Sequence, residues 1–396
     1  MNKAANQISL SNFMPERLGT VDPANFPDET FELYSIPAYD NRCAAITDSV
    51  DIGSAKQIVQ PGDVLLSKIV PHIRRSWIVG PVGQHRQIAS SEWIVFRSHK
   101  IEPHYLRQIF LSDRFHEQFM ATVAGVGGSL LRARPKEVGR ILIPLPSLEE
   151  QRRIASILDA AEALSTKRHA AIAKLHTLAQ SIFREMFGNP VANERGWEQS
   201  TVSDFVAGFE SGKNLVALDE DDRESEFRVL KVSALTSLEY RPEESKPLPR
   251  GYTPPSRHFV RAGDLLFSRA NTSDLIGATA FVYVTPTNIV LPDKIWRFVW
   301  HEEPRADPHF VWFLFRHPAF RYEIAKRATG TSGSMKNISQ EKVFGIRVGL
   351  PPIHLQRQFA SEVMLVHITK ERAQISMAKL DGLFTTLQYH AFQGEL

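Results

Sequence analysis

Apolar residues recur at seven-residue spacing along two long segments of the chain. In the first segment one row contains Ile154, Ala161, Leu175 and Ile182, and only Arg168 interrupts it. A second row follows three residues later, at Ile157, Leu164, Ala171 and Leu178. Two such rows form the seam of a coiled coil, so the pattern predicts a helix over residues 148–190, a rod of roughly 60 Å at about 1.5 Å per residue.

The second segment covers residues 351–396 and keeps one of these rows more clearly than the other. The regular row contains Phe359, Val366, Ala373, Leu380 and Leu387, whereas Glu362, Thr369 and Ser376 weaken the other. Pro144 and Pro146 precede the first segment, and Pro351 and Pro352 begin the second, as helix-start rules expect. We expect the two helices to pair as an antiparallel coiled coil with one globular domain at each end. The alternative is that each helix packs only on its own domain.

The residues before each helix alternate between strand-like and helical patterns. Helical patterns cover about 103–121 and 308–327. Short runs rich in aromatic and β-branched residues predict strands, at 64–66, 77–79, 93–96, 140–143, 227–230, 264–267, 280–284 and 296–300. The predicted fold class is α+β, with two tandem mixed α/β domains, residues 1–147 and 191–350, each built on a compact sheet and followed by its long helix.

The two halves of the chain repeat one another. Leu145-Pro146 and Gln151-Arg152 recur as Leu350-Pro351 and Gln356-Arg357, an offset of 350 − 145 = 205 positions. The same offset relates further pairs, among them Tyr105 with Phe310, Gly128-Ser129 with Gly333-Ser334, and Phe187 with Phe392. With a small shift, Gly62-Asp63 matches Gly263-Asp264. A duplicated globular unit and helix is the architecture expected of a protein that recognises a two-part target.

Composition places the chain among ordinary globular proteins. It has 396 residues, of which 43% are hydrophobic and 23% charged, and a net charge of +3, which favours nucleic acid only weakly. Its single cysteine, Cys43, excludes an internal disulfide and a cysteine-built zinc site. Because we find neither a leader nor a membrane-spanning apolar run, we expect a cytoplasmic protein without membrane contact.

The motifs that could indicate catalysis are weak. The run from Gly208 to Asn214 resembles a phosphate-binding loop, but it is one residue short and has Asn214 where magnesium needs Ser or Thr. The run from Gly125 to Ser129 lacks the spacing of a dinucleotide fingerprint. Pro351-Pro352 lacks the preceding acid or amide of an adenine methyltransferase motif, and the 14 histidines show no metal-binding spacing. We therefore expect no catalytic residues and no metal site in this chain.

The ordered motifs resemble the specificity subunits of type I restriction-modification systems. The carrying stretch runs from Ile143 to Asp159 (IPLPSLEEQRRIASILD) and continues through Lys167-Arg168 to Leu175, Gln180 to Phe183 and Met186 to Gly188. The starts of the family's domains are matched by Glu32 to Ala38 and by Trp197 with Val202 to Phe205. The resemblance covers essentially the whole chain, and each motif occurs in order.

The resemblance implies a non-catalytic chain with two target recognition domains, each binding one half of a split, asymmetric site in double-stranded DNA. It implies that the helices set the gap between the half-sites. It also implies two methyltransferase (M) subunits docked on the helices, with restriction (R) subunits added to them. S-adenosylmethionine, ATP and Mg would then be bound by the partner subunits. Candidate partner contacts lie at the helix starts: Gln151, Arg152, Ile154, Gln356, Arg357 and Phe359.

Sequence readout needs polar and cationic side chains on loops against base edges. Equivalent loops of the two repeats supply them, one after the strand that begins at Gly62-Asp63 or Gly263-Asp264 and one after the Gly-rich turn. The DNA-binding candidates of the first domain are Ser67, Lys68, Arg74, Arg75, Ser129, Arg132, Arg134 and Lys136. Those of the second are Ser211, Lys213, Arg269, Asn271, Thr272, Ser273, Ser334, Lys336 and Asn337.

A protein of another class also fits the repeat. It would be a tandem-repeat scaffold whose helices assemble a protein complex without sequence-specific DNA contact. A methyltransferase gene beside the gene for this chain would favour the specificity subunit over the scaffold.

Overall fold

A computed structural model describes residues 7–125, 131–214, 225–330 and 335–393. The described residues form two compact units, one from residues up to 170 together with those from 374 onward, the other from residues 171–373. The boundary between the units falls inside both long helices, so each unit contains a segment of each helix.

The first unit combines short strands with helices. Its strands are β1 (Gln7–Ser9), β2 (Thr20–Val21), β3 (Thr30–Tyr34), β4 (Ala45–Asp48), β5 (Lys56–Ile58), β6 (Val64–Ser67), β7 (Ser76–Ile78), β8 (Arg86–Ala89), β9 (Trp93–Phe96), β10 (Val123–Ala124), β11 (Arg132–Ala133) and β12 (Leu142–Pro144). Its helices are α1 (Ile36–Asp40), α2 (Pro103–Leu111), α3 (Asp113–Met120), α4 (Pro135–Gly139) and the start of α5 (Leu148–Phe187).

These strands form several small sheets rather than the one compact sheet that we predicted. A five-stranded mixed sheet has the order β2-β5-β8-β3-β4, and a three-stranded antiparallel sheet has the order β7-β6-β9. The pairs β1-β12 and β10-β11 are separate. The main core lies between β6, β9, α2, α3 and the start of α5, where Phe96, Tyr105, Phe110 and Phe115 are buried.

The second unit repeats much of this arrangement. Its strands are β13 (Glu198–Thr201), β14 (Gly208–Ser211), β15 (Arg228–Leu230), β16 (Ser245–Pro247), β17 (Leu265–Ser268), β18 (Ala270–Asn271), β19 (Thr279–Phe281), β20 (Ile289–Val290), β21 (Ile295–Val299), β22 (Lys336–Asn337) and β23 (Arg347–Leu350). Its helices are the end of α5, then α6 (Pro308–Arg316), α7 (Pro318–Arg327), α8 (Gln340–Phe344) and the start of α9 (Ile353–Gln393).

The sheets of the second unit mirror those of the first. The antiparallel strands β21-β17-β19 correspond to β9-β6-β7, with β14 added beside β21, and β13-β23 corresponds to β1-β12. A three-stranded sheet, β16-β15-β20, and the pair β18-β22 are also present. Aromatic residues dominate the main core, in which Phe267, Phe310, Phe315 and Phe320 are fully buried.

Each of the eight predicted strand runs overlaps a strand, and the two predicted helical regions each contain a pair of helices, α2 with α3 and α6 with α7. Both predicted long helices are present, and each begins and ends at or within a few residues of its predicted bounds. Gly188 ends α5 in the left-handed conformation (φ 67°), a common way for a helix to terminate.

Segments of both long helices meet inside each unit. In the first unit Ser165 lies near Asp381 (3.4 Å) and Arg168 donates to Ser376 (2.5 Å), so residue numbers rise along α5 as they fall along α9. In the second unit the Phe183 ring lies 5.4 Å from that of Phe359, at the start of α9. The ends of the helices also occupy equivalent places. Phe392 packs on Tyr105 (ring centroids 5.8 Å apart), and Phe187 packs on Phe310 (5.1 Å).

Candidate nucleic-acid interface

The loop that follows β6 lies beside the segment that precedes α4. We name residues 68–75 the first strand-following loop and residues 131–134 the first helix-preceding segment. The Lys68 carbonyl accepts the Ala133 backbone N–H at 2.8 Å, and Ile69 forms an isolated bridge with Arg132. Two stretches more than sixty positions apart in sequence therefore join in one surface region of the first unit.

The second unit contains the same arrangement. Residues 269–277 form its strand-following loop, and residues 335–339 its helix-preceding segment. The Arg269 carbonyl accepts the Ile338 N–H at 3.1 Å, and β18 pairs with β22. Lys68 and Arg269 match in the two repeats, and so do Ala133 and Ile338, which are 205 positions apart. The duplication therefore extends to the contacts between these segments.

A buried serine, the last residue of β6 or β17, precedes each strand-following loop. The Ser67 hydroxyl donates to the Ile69 carbonyl at 3.1 Å, and the Ser268 hydroxyl donates to the Ala270 carbonyl at 3.3 Å. Ser67 is only 2% exposed. The structure therefore places the Ser67 side chain inside the turn, and its role there is to fix the loop after the strand.

The repeated Gly-Asp pair fixes the other end of the same strand. The Asp63 carboxylate accepts two hydrogen bonds from Arg97, at 2.7 and 2.6 Å, and Asp264 accepts one from Arg297 at 3.3 Å. Burial raises the pKa of the Asp264 carboxyl above its ordinary value, against the opposing effect of the Arg261 backbone N–H and of Arg297. These ion pairs position β6 and β17 and hence the loops that follow them.

The cationic candidates of the first unit differ in their exposure and in their contacts with the rest of the protein. Lys136 is exposed. Arg132 pairs loosely with Glu92 at 3.4 Å, and Arg134 is exposed while donating to the Thr122 carbonyl at 3.3 Å. Lys68 is half-buried. Ser129 lies outside the described residues.

Arg74 and Arg75 are both bound by the protein. Arg74 donates to the Leu111 carbonyl at 2.9 Å and pairs with Asp113 at 2.7 Å. Arg75 is buried and donates twice to the Asp40 carboxylate, at 2.9 and 3.0 Å. Their guanidinium groups hold the strand-following loop against α1 and the junction of α2 and α3.

The candidates of the second unit also come together. Arg269 donates to the Asp293 carbonyl at 2.9 Å, and its guanidinium carbon lies 5.9 Å from the centre of the Trp296 ring. Lys336 donates to the Gly330 carbonyl at 2.9 Å. Asn271 and Asn337 are half-buried on the paired strands, whereas Thr272 and Ser273 are exposed. Ser334 lies outside the described residues.

The loop that resembles a phosphate-binding motif borders this region. Ser211 ends β14 and Lys213 follows it, both exposed. Between them, the Gly212 N–H donates to the Pro292 carbonyl at 3.1 Å, and a Cβ at Gly212 would lie 1.7 Å from the Leu291 carbonyl oxygen. Glycine is therefore required here by close contact with the segment that holds Arg269, which explains this glycine without a bound phosphate.

The partner-contact candidates divide into buried and exposed residues. Gln151, Ile154, Gln356 and Phe359 are each at most 1% exposed in the folded chain. They join the helix starts to the adjacent domain, and they do not form a surface on which another subunit could dock. Arg152 and Arg357 are exposed, so they remain candidates for contact with another subunit.

One residue of this region carries no signal in the sequence. Arg321, on α7, donates to the Asp274 carbonyl of the second strand-following loop at 2.6 Å. Its equivalent 205 positions earlier is His116, so the repeat does not single it out. Only the packing of α7 against the loop reveals the contact.

Comparison with known proteins now adds to this geometry. No family model matches the chain. The EcoEI specificity subunit of Escherichia coli is 30% identical over 169 residues, 42% of this chain and 28% of the relative. The EcoKI specificity subunit of E. coli K12 is 23% identical over 285 residues, 68% of this chain and 61% of the relative. The MjaVIII specificity subunit of Methanocaldococcus jannaschii is 24% identical over 289 residues, 68% of this chain and 67% of the relative.

The chain is a homologue of type I restriction enzyme specificity subunits. The matches span less than two thirds of the length of the two E. coli relatives. Specificity subunits are non-catalytic, and catalysis in these systems lies with partner subunits.

Solved structures agree on the fold of this homologue. A chain from a study of complex assembly and conformational transition in a type I restriction-modification system has a TM-score of 0.60 at 19% identity, covering 100% of this chain and 99% of that one. The S subunit from M. genitalium has a TM-score of 0.58 at 12% identity, covering 99% and 97%. The chain thus shares its fold, with mixed helix and strand content, with these solved structures.

Two further observations concern the residues of this chain that the structure describes. Each of its helices falls short of the length and apolar character needed to cross a membrane. Within the same residues, no group of three or more His, Cys, Asp or Glu side chains is placed to hold a metal ion.

Proposed function

We propose that this chain is the DNA sequence-specificity subunit of a type I restriction-modification complex and acts in the cytoplasm on a bipartite, asymmetric site. Each unit would contain one target recognition domain and bind one half-site. The chain itself would catalyse no reaction.

The observation that carries this proposal is the repeated interface geometry. In both units a strand-following loop is hydrogen-bonded to a helix-preceding segment, through Lys68 with Ala133 and through Arg269 with Ile338. The two regions present different side chains at equivalent positions, since Arg132 of the first unit corresponds to Asn337 of the second, 205 positions later. The same framework with different polar residues is what two domains require if they recognise different half-sites.

The helices supply the second part of the proposal. We infer that α5 and α9 pair as an antiparallel coiled coil that sets the spacing between the half-sites. The opposed order of Ser165 with Asp381 and Arg168 with Ser376 in the first unit supports this pairing. Two methyltransferase subunits would dock on the helix starts, where Arg152 and Arg357 are exposed. Restriction subunits would join through them, and S-adenosylmethionine, ATP and Mg would be bound by these partners.

A methylation map tests the proposal directly. Long-read sequencing would compare a host that expresses this chain with its neighbouring methyltransferase and a host that lacks only this chain. We expect a split, asymmetric motif with a methylated adenine in each half, lost when the chain is absent. An active methyltransferase without a chain-dependent motif would instead support a protein-assembly scaffold.

Single substitutions test the loops. We expect Arg269→Ala or Arg74→Ala to lower modification of the target while the complex with methyltransferase still assembles, as measured by size-exclusion chromatography. If neither variant changes modification, the strand-following loops do not take part in recognition.

A further inference from the structure

The arginines next to the first strand-following loop already have partners within the protein. Arg75 donates a hydrogen bond to each carboxylate oxygen of Asp40, and these bonds hold the pKa of that carboxyl below its ordinary value. Arg74 donates a hydrogen bond to a backbone carbonyl at the end of α2 and forms an ion pair with the carboxylate of Asp113 at the start of α3. A paired guanidinium has fewer donors left for a base edge, and its charge is largely compensated.

In the second unit the strand-following loop is also attached to a helix by an arginine, but the donor and the acceptor exchange places. Here the arginine lies on the helix and the acceptor on the loop, because Arg321 of α7 donates to the Asp274 carbonyl at 2.6 Å. Within that loop the Leu275 and Ile276 N–H groups donate to the Thr272 carbonyl at 3.1 and 2.9 Å. Arg321 therefore fixes a tight turn whose exposed residues are Thr272, Ser273 and Asp274.

We propose that Arg74, Arg75 and Arg321 are positioning residues that hold the two strand-following loops in their DNA-binding conformation, and that neighbouring exposed residues contact the DNA. Three contacts of this kind, on loops at equivalent places in the two repeats, carry the inference. It rests on the proposed function for its DNA part and on the contacts alone for its positioning part.

Hydrogen–deuterium exchange of the full chain without DNA tests the positioning part. In Asp40→Ala, amides of residues 68–75 should exchange about tenfold faster or more, because charge-assisted hydrogen bonds restrain the loop. In Arg321→Ala, residues 272–277 should respond in the same way. Asp40→Asn keeps the shape of the side chain and removes its charge, and is used if the alanine variant fails to fold.

Matched controls come from ion pairs elsewhere in each unit. Arg86 pairs with Glu29 at 2.6 Å and Arg305 with Glu198 at 2.7 Å, and both lie outside the two loops. Arg86→Ala and Arg305→Ala should leave exchange in the loops unchanged. Wild-type exchange of the loops in Asp40→Ala and Arg321→Ala would overturn the positioning role.

Methylation of target DNA by the complete complex tests the role in recognition. If Arg75 acts through Asp40, then Arg75→Ala, Asp40→Ala and the double variant should lower modification to the same level, since all three remove one interaction. If Asp40→Ala keeps wild-type modification while Arg75→Ala loses it, Arg75 contacts the DNA directly and the proposal is wrong for that residue. Absence of any chain-dependent motif in the wild type would count against the proposed function, and the exchange measurement would still decide the positioning role.

Discussion

The side-chain oxygen of Gln356 accepts the backbone N–H of Asp307 at 2.9 Å, across the joint between the second long helix and the domain that it follows. The amide nitrogen of Gln356 donates to the Pro351 carbonyl at 2.7 Å. In the other repeat Gln151 accepts the Glu102 N–H at 2.8 Å and donates to the Pro146 carbonyl at 2.9 Å. One buried glutamine therefore ties each long helix to the residue that precedes α2 or α6.

Replacement of either glutamine should lower stability strongly. In Gln356→Ala the partly buried Asp307 N–H and the carbonyls of Pro351 and Arg305 lose their partner. We therefore expect the free energy of unfolding to fall by roughly 2–4 kcal/mol. Denaturant unfolding of the chain measures the loss. Arg357→Ala, the exposed neighbour on the same helix, should change stability by less than about 0.5 kcal/mol. Equal effects of the two variants would contradict a structural role for the glutamine.

The glutamine also shows what a repeat in sequence can and cannot predict. The recurrence of Gln151-Arg152 as Gln356-Arg357 located the helix starts and both long helices. It did not separate the buried glutamine from the exposed arginine beside it, because the two differ only in their direction from the helix. Partner contact and internal hydrogen bonding leave the same repeated pattern.

The candidate site divides in a similar way. The repeated Gly-Asp pair and the Gly-rich turn indicated the two loops of each domain, and the structure brings those loops together. The contact between Lys68 and Ala133 joins residues with no local relation in sequence, so only the folded chain shows it. From the sequence we predicted Arg74 and Arg75 as DNA contacts together with the exposed lysine. Their pairing with acids was not visible there, because Asp113 and Asp40 lie more than thirty positions away along the chain.

Phe392 provides a test of how the second helix ends. It is buried against Tyr105, in the place that Phe187 takes against Phe310 in the other unit. We expect Phe392→Ala to lower the free energy of unfolding by about 2–4 kcal/mol through the cavity that it leaves. Tyr389→Ala, three residues earlier and 61% exposed, is the matched control and should have little effect. A mild effect of Phe392→Ala would mean that the helix end is not docked on this unit.

A stacked pair in the second unit predicts a dependence on pH. The rings of His367 and Tyr283 lie 3.5 Å apart with an angle of 9° between their planes. Burial lowers the pKa of His367 below its ordinary value of 6.5, with opposing or smaller effects of Glu371, Lys370, His309 and Glu239. Well above pH 6.5 the imidazole is neutral in both the folded and the unfolded state and contributes no pH dependence.

The sign follows from the lowered pKa. As the pH falls below about 6.5 the unfolded state binds a proton first, so the free energy of unfolding declines until the pH passes the folded pKa. His367→Phe should flatten this part of the stability curve, measured by denaturant unfolding at several pH values. An unchanged slope in His367→Phe would assign the pH dependence to other groups.

The exposed Lys136 lies in the first turn of α4, directly after the first helix-preceding segment and next to the region where we place the first half-site. A lysine that neutralises one phosphate releases one counterion, so its loss should reduce the slope of log K against log salt concentration by about 0.9. Lys136→Ala should therefore weaken binding of the complete complex to target and non-target duplexes alike. Lys167→Ala, exposed on the long helix, is the matched control and should keep the wild-type slope. If Lys136→Ala instead weakens binding to the target alone, Lys136 contacts a base edge rather than a phosphate.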